Sequence, residues 1–323
     1  MQVGGIMDEV NTSTSQHNEN PWKMMRRENV NPKLLNFVTA VLQMFPELPE
    51  SVQKIMTMIY DPKTSSREIA EIAALDPILV NNILRKLNSA YYQLDRKIED
   101  LNFAIVVMGF NEIRDLAIQT GLVKKLGVEM TGGEYNPRDL SAHIYAVSIC
   151  AEELSNNNSK ETGILMSLGM LHDIGKFALH TIKTHQERLG IKTKGVDDLP
   201  KDACLLQWEE HLYGVNHAVV GGILAKNWDL SERSQTVIEY HHYPSFYPIE
   251  SVPDQYRQDI ALISIADYIA NNLLYNKTRI PKPHPSYFEI LGFDPDIENL
   301  VSPTLRKKFV RVREFISNIV IVD

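Results

Sequence analysis

Apolar residues along this chain return at three- and four-residue steps and do not settle into alternation. Leu34, Phe37, Val38, Val41, Leu42 and Phe45 form one such series before Pro46 and Pro49, which predicts an amphipathic helix ended by proline. Ser65 followed by Glu68 reads as a capping box ahead of Ile69, Ile72 and Ala73. Asp76 then Pro77 supplies a cap and a first-turn proline for Ile78, Val80, Ile83, Leu84 and Leu87. Asn111 is the expected cap of a further stretch carrying Ile113, Leu116, Ala117, Gly121 and Leu122. Period-two runs bounded by hairpin turn pairs are missing, so the expected fold class is all-α.

Two breaker-rich segments divide the pattern. Residues 131–137 (TGGEYNP) predict a lobe boundary, and 190–202 (GIKTKGVDDLPKD) an insertion loop. Residues 1–20 are rich in Asn, Ser, Thr and Gly and are expected to be a mobile leader. The expected organisation is that leader, an N-terminal helical lobe over 21–130, and a larger helical lobe over 131–323.

Composition narrows the classes of function. The 323 residues carry 33 Lys plus Arg against 41 Asp plus Glu, a formal net charge of −8, which argues against a general nucleic-acid or membrane-surface binder. Lys23, Arg26 and Arg27 beside Trp22 make only a short basic cluster, read as a solvated helix start. Cys150 and Cys204 belong to no CxxC pair, so neither a disulfide framework nor a thiolate zinc site is expected. No apolar run reaches about 18 residues, and the N-terminus lacks a basic region followed by an apolar core; a reducing cytoplasm is the expected setting.

The candidate chemistry lies in the second lobe, where most of the ten histidines fall. Asp139 and His143, four apart, project from one helical face. His172-Asp173 follows an apolar stripe of Ile164, Leu165, Leu168 and Leu171, with Lys176 one turn beyond His172. Adjacent residues on an ideal helix point about 100° apart, so this pair converges only near a bend, which Gly175 would permit. His217 lies on a helix with Gly221 and Gly222, which allow close packing; His241-His242 ends a segment stopped by Pro244, and Asp267 sits among Leu262, Ile265, Ala266 and Ile269.

The order His143, His172-Asp173, His217, His241-His242, Asp267, with LHDIGK at 171–176, resembles the HD superfamily of metal-dependent phosphohydrolases. FPELPESVQKIM, SSREIAEIAALDPILVNNILRKLNSAYY and IEDLNFAIVVMGFNEIRDLAI look like the HDOD family, the HD-related output domains of bacterial signal transduction. The likeness runs from Leu34 to Leu274 and implies a two-lobed, all-helical architecture. The site pattern is also similar to that of the HD-GYP phosphodiesterases. That resemblance implies Asp139, His143, His172, Asp173, His217, His241, His242 and Asp267 as metal ligands, and Lys176 as the contact to a substrate phosphate. The segment HHYPSFYP lacks the acidic residue after the double histidine and the GYP turn, and Asp139 stands where Glu is common, so cyclic-dinucleotide specificity is not implied.

Imidazoles and carboxylates without thiolates favour a divalent transition metal, one or two ions, with Fe or Mn ahead of Ni, Zn or Co. Two such ions against ionised Asp139, Asp173 and Asp267 leave a single positive charge, which suits hydroxide and then a phosphate oxygen. In that reading Asp173 bridges and Lys176 stabilises developing phosphate charge. The expected function is a regulatory protein that acts as a metal-dependent phosphohydrolase on a phosphoester or nucleotide. The alternative is a catalytically inactive metal-binding scaffold that recruits a signalling partner protein or a phosphorylated small molecule. Tyr243, Phe246 and Tyr247 would then close the site, stack a base, or simply belong to the core.

Overall fold

The helices form where the caps place them. A computed structural model describes residues 23–317 except 46–48, 59–60, 62, 89–91, 93–97, 127–134, 156–158, 191–198, 200–202 and 276–279; the expected leader, and most of the two breaker-rich segments, lie outside the described residues. Among the described residues every regular element is helical.

Helix α1 (Pro32–Gln43) opens with Asn31 accepting from the Lys33 N–H and Pro32 in its first turn. Then follow α2 (Glu50–Met58), α3 (Ser66–Ala73), α4 (Pro77–Leu87), α5 (Leu101–Met108) and α6 (Phe110–Leu126). The Ser65–Glu68 capping box is complete, and Asp76 accepts from the N–H groups of Ile78 and Leu79. Helix α6 begins one residue before Asn111, the cap expected from sequence. Helices α2 to α6 pack on one another around Val52, Ile55, Ile69, Leu79, Ile83 and Ile105.

The second set comprises α7 (Pro137–Leu154), α8 (Ser159–Leu171), α9 (Ile174–Arg188), α10 (Leu205–Tyr213), α11 (His217–Asn227), α12 (Glu232–Tyr240) and α13 (Arg257–Tyr275). The short α14 (Pro285–Glu289) and α15 (Ile297–Leu300) then lead to α16 (Pro303–Ser317). Helix α7 packs against α8, α13 and α16, while α11 packs between α9 and α12. Every residue of α11 from His217 to Ala225 is buried, so this helix is core on all sides. No helix among the described residues is long and apolar enough to cross a membrane.

One boundary differs from the sequence reading. The stretch 23–43 was expected in the first lobe, yet α1 packs on α9 and α11 of the second. Ahead of it the Met25 N–H donates to Glu210, Asn216 donates to the Met25 carbonyl, and Tyr247 donates to the Met24 carbonyl. Of the basic cluster, Lys23 is exposed, Trp22 lies outside the described residues, and the two arginines pack on the second lobe. Arg26 lies 3.9 Å from the Tyr247 ring centroid and Arg27 pairs with Glu239 at 3.2 Å.

Candidate metal centre

Helix α8 ends at Leu171 and α9 begins at Ile174, so His172 and Asp173 occupy the break between them. Asp173 caps α9 with φ −100° and ψ 13°, and this turn lets two adjacent side chains face one point. The bend expected at Gly175 therefore falls two residues earlier. Gly175 serves a different purpose: a Cβ there would stand 1.9 Å from the His217 carbonyl oxygen and 2.6 Å from the Gly221 nitrogen. Bare backbone at Gly175 is what lets α9 touch the start of α11, and it carries His217 to Asp173.

Two groups of ligand-type atoms result. Asp173, His217, His241 and His242 form one, and His143, His172 and Asp267 the other, each with its atoms within 4.8 Å of one another. Asp173 stands between them. Its Oδ2 is 3.3 Å from the Nε2 atoms of both His143 and His172, while its Oδ1 is 3.1 Å from His217 Nε2 and 3.8 Å from His241 Nε2. Asp267 closes the second group, with Oδ1 at 2.9 Å from His143 Nε2. Lys176 donates to Asp173 Oδ2 at 2.5 Å.

Partners on the far side of each ring fix which nitrogen faces inward. The Nδ1 of His172 meets the Gly169 carbonyl at 2.8 Å, that of His241 the Ile238 carbonyl at 2.7 Å, and that of His217 the Glu209 carboxylate at 2.7 Å. A ring nitrogen facing a carbonyl or carboxylate must carry the proton, so the Nε2 lone pairs point into the cluster. With both rings neutral, the Nε2 atoms of His217 and His241 stand 3.4 Å apart as two acceptors. His242 Nε2, 2.9 Å from His217 Nε2, can supply one proton, but its own Nδ1 is buried without a hydrogen bond. His172 Nε2 and Asp173 Oδ1 are likewise buried with none. Such crowding of inward-facing acceptors is unfavourable unless a cation sits among them. The donor set, nitrogen and oxygen without sulfur, fits a divalent transition metal.

Protonation points the same way. Burial pushes His143 down, and it pushes His241 and His242 well below the ordinary imidazole range, where neighbouring imidazoles add to the effect. His217 is the exception and moves up: burial lowers it, but Glu209 and Asp173 outweigh that, so a cation there would compete with a proton. Burial opposes the ionisation of Asp173, yet His172, Lys176 and His217 hold its carboxyl well below the usual range. Asp267 is lowered mainly through His143, again against burial. Neutral imidazoles and ionised carboxylates are the forms that bind metal.

Of the eight ligands expected from sequence, seven converge. Asp139 does not join either group: it is exposed, in the first turn of α7, one turn ahead of His143. Tyr243 is buried and Arg26 lies over the rings of both Tyr243 and Tyr247, so these aromatics hold the N-terminal segment. Sequence reasoning passed over Glu209 and Tyr135. Glu209 is fully buried and accepts from the His217 backbone N–H at 2.8 Å, from His217 Nδ1 and from the Tyr135 hydroxyl. A signal was available, since Glu209 shares the buried stripe of α10 with Leu205, Leu206, Leu212 and Tyr213. A carboxylate placed in an apolar stripe needs a partner.

Comparison with known proteins decides the family. The profile of the HDOD domain matches residues 45–244, more than half of the chain. The chain belongs to the HDOD family. The matched span of this HDOD protein holds every residue of the two groups except Asp267, which α13 contributes from beyond it. It is 22% identical over 263 residues to an uncharacterized protein of Treponema pallidum (strain Nichols), covering 80% of this chain and 48% of that one. The chain thus spans about half the length of the curated relative it matches. In structure it is similar to an HDOD domain protein of unknown function from Geobacter sulfurreducens, with TM-score 0.61, 23% identity, and coverage of 89% of this chain and 100% of that one. It is also similar to a candidate metal-dependent phosphohydrolase from Shewanella amazonensis SB2B, with TM-score 0.55, 16% identity, and coverage of 88% and 98%. These likenesses establish the all-helical HDOD fold.

Proposed function

We propose that this HDOD protein is a cytoplasmic signal-transduction module whose His/Asp centre holds two divalent metal ions and hydrolyses a phosphoester or nucleotide. The observation that carries this reading is the placement of Asp173, whose two carboxylate oxygens face two separate histidine groups. A carboxylate whose two oxygens face separate nitrogen-rich groups is placed as a paired-ion centre would use it. Fe or Mn suits these ligands best, with Ni, Zn or Co as alternatives. Bound ions would supply an acidified water and positive charge toward a phosphoryl group. Among this chain's own groups, Asp173 would hold both ions, and Lys176, a buried cation fixed beside it, would be the contact to a phosphate oxygen.

A second reading, an inactive metal-bearing scaffold that recruits a partner protein or a nucleotide, is favoured by a different observation. His172, Asp173, His217 and His241 are fully buried, and the Tyr135 ring lies 6.0 Å from the Lys176 Nζ. Metal analysis and hydrolysis of bis(p-nitrophenyl) phosphate separate the two. About one to two ions per chain are expected, with hydrolysis abolished in His172→Ala and Asp173→Ala while helical content is retained. Activity unchanged in both variants rejects the enzyme, and a metal-free protein from metal-replete cells rejects the centre.

A further inference from the structure

The two ligand groups do not receive equal support from the residues behind them. His217 has its Nδ1 against a carboxylate, with Glu209 Oε2 at 2.7 Å and Oε1 at 2.8 Å. His172 and His241 have only peptide carbonyls in that position. On the other side Asp267 Oδ1 receives the amide N–H of Asn271 at 2.7 Å. A carboxylate behind an imidazole raises the basicity of the ring as a ligand, whereas an N–H donated to a ligating carboxylate draws charge away from it. Glu209 is itself held by three donors, the His217 backbone N–H, His217 Nδ1 and the Tyr135 hydroxyl, so its orientation is fixed.

We propose that Glu209 and Tyr135 are positioning residues that make the Asp173–His217–His241–His242 group the tighter of two cation sites, leaving His143–His172–Asp267 as the weaker, exchangeable one. This inference rests on the two-ion reading above. In it, Glu209 fixes the tautomer and strengthens the donor atom of His217, and Tyr135 keeps Glu209 turned toward the ring.

The test is a titration of the metal-stripped full chain with Co²⁺, followed by calorimetry and by visible absorption, which reports the coordination of each ion. The wild-type protein is expected to fill in two steps. Glu209→Gln should weaken the tighter step by about 10- to 100-fold and leave the weaker one in place. Tyr135→Phe removes only the hydroxyl and should weaken the same step by a smaller factor, with unchanged circular dichroism and melting. Two steps as tight as wild type in both variants, or equal weakening of both steps, would overturn the assignment to Glu209 and Tyr135 while leaving the two-ion centre standing. A wild-type chain that takes up no Co²⁺ would overturn the two-ion reading and this inference together.

Discussion

Among the described residues, two buried groupings of ionisable side chains, one around Lys86 and one around Asp173, obey different logic. In the first, Lys86 on α4 donates to the Tyr145 hydroxyl at 2.8 Å, pairs with Glu112, and lies 4.8 Å from the Tyr145 ring centroid. Cation, anion and hydroxyl satisfy one another, and the cluster joins α4, α6 and α7. In the second, Asp173, Asp267 and Glu209 face one lysine, and imidazole nitrogens meet with their acceptor sides. Burial of charge is common to both. The second has an excess of acceptors that the first lacks, and that excess, more than the burial, is what makes it the candidate cation site.

The sharpest way to break this contrast is Asp173→Ala. Loss of the shared carboxylate should empty both ligand groups, seen as metal per chain falling to background while far-UV circular dichroism is retained. Metal content near wild type would show that the two groups do not share a ligand. Lys86→Met is the complementary change. It removes the cation beside the half-buried Glu112, which keeps the Tyr145 hydroxyl at 3.3 Å, and should lower stability by about 1–2 kcal/mol in urea unfolding, with metal content untouched. A drop in bound metal at equal folding would mean that the clusters are coupled.

Gly175→Ala probes the backbone contact that joins α9 to α11. Its methyl would overlap the His217 carbonyl, so a loss of about 1–3 kcal/mol is expected together with weaker metal uptake through a displaced His217. Smaller effects lie at the margin of the centre. Burial pushes Glu210 up to about 7, against the N–H groups of Asn216 and Met25. An unfolded glutamate ionises at about 4.3, so between those values the folded chain binds more protons, and stability falls as pH rises through that window. Glu210→Gln should flatten the fall, measured as urea midpoints at pH 5 and 7. Asp139→Ala, at an exposed position outside both groups, should leave metal content unchanged; a clear loss would return Asp139 to the ligand set.

Much of this could be read along the chain. The capping box at Ser65, the Asp76-Pro77 start and the all-α class follow from local chemistry, because a cap and the helix it opens lie within a few residues. The candidate ligands, and Lys176 beside them, were singled out because their order resembles that of the HD superfamily, and all but Asp139 come together. Asp139 shows the limit of spacing. Four residues put two side chains on one face, but whether a first-turn residue reaches the interior depends on what packs beside it. Glu209 shows the converse, since nothing in its neighbourhood names His217 as its partner.

The sequence by itself determined the helices, the residue types of the centre and the exclusion of thiolate chemistry. Tertiary structure decided that the ligands split into two groups on either side of Asp173, that Glu209 stands behind His217, and that residues 23–43 pack on the second lobe. Those features depend on contacts between helices far apart in the chain, such as the close passage of Gly175 past His217. Local propensity carries no information about which faces will meet, because that choice is made by burial summed over the whole core.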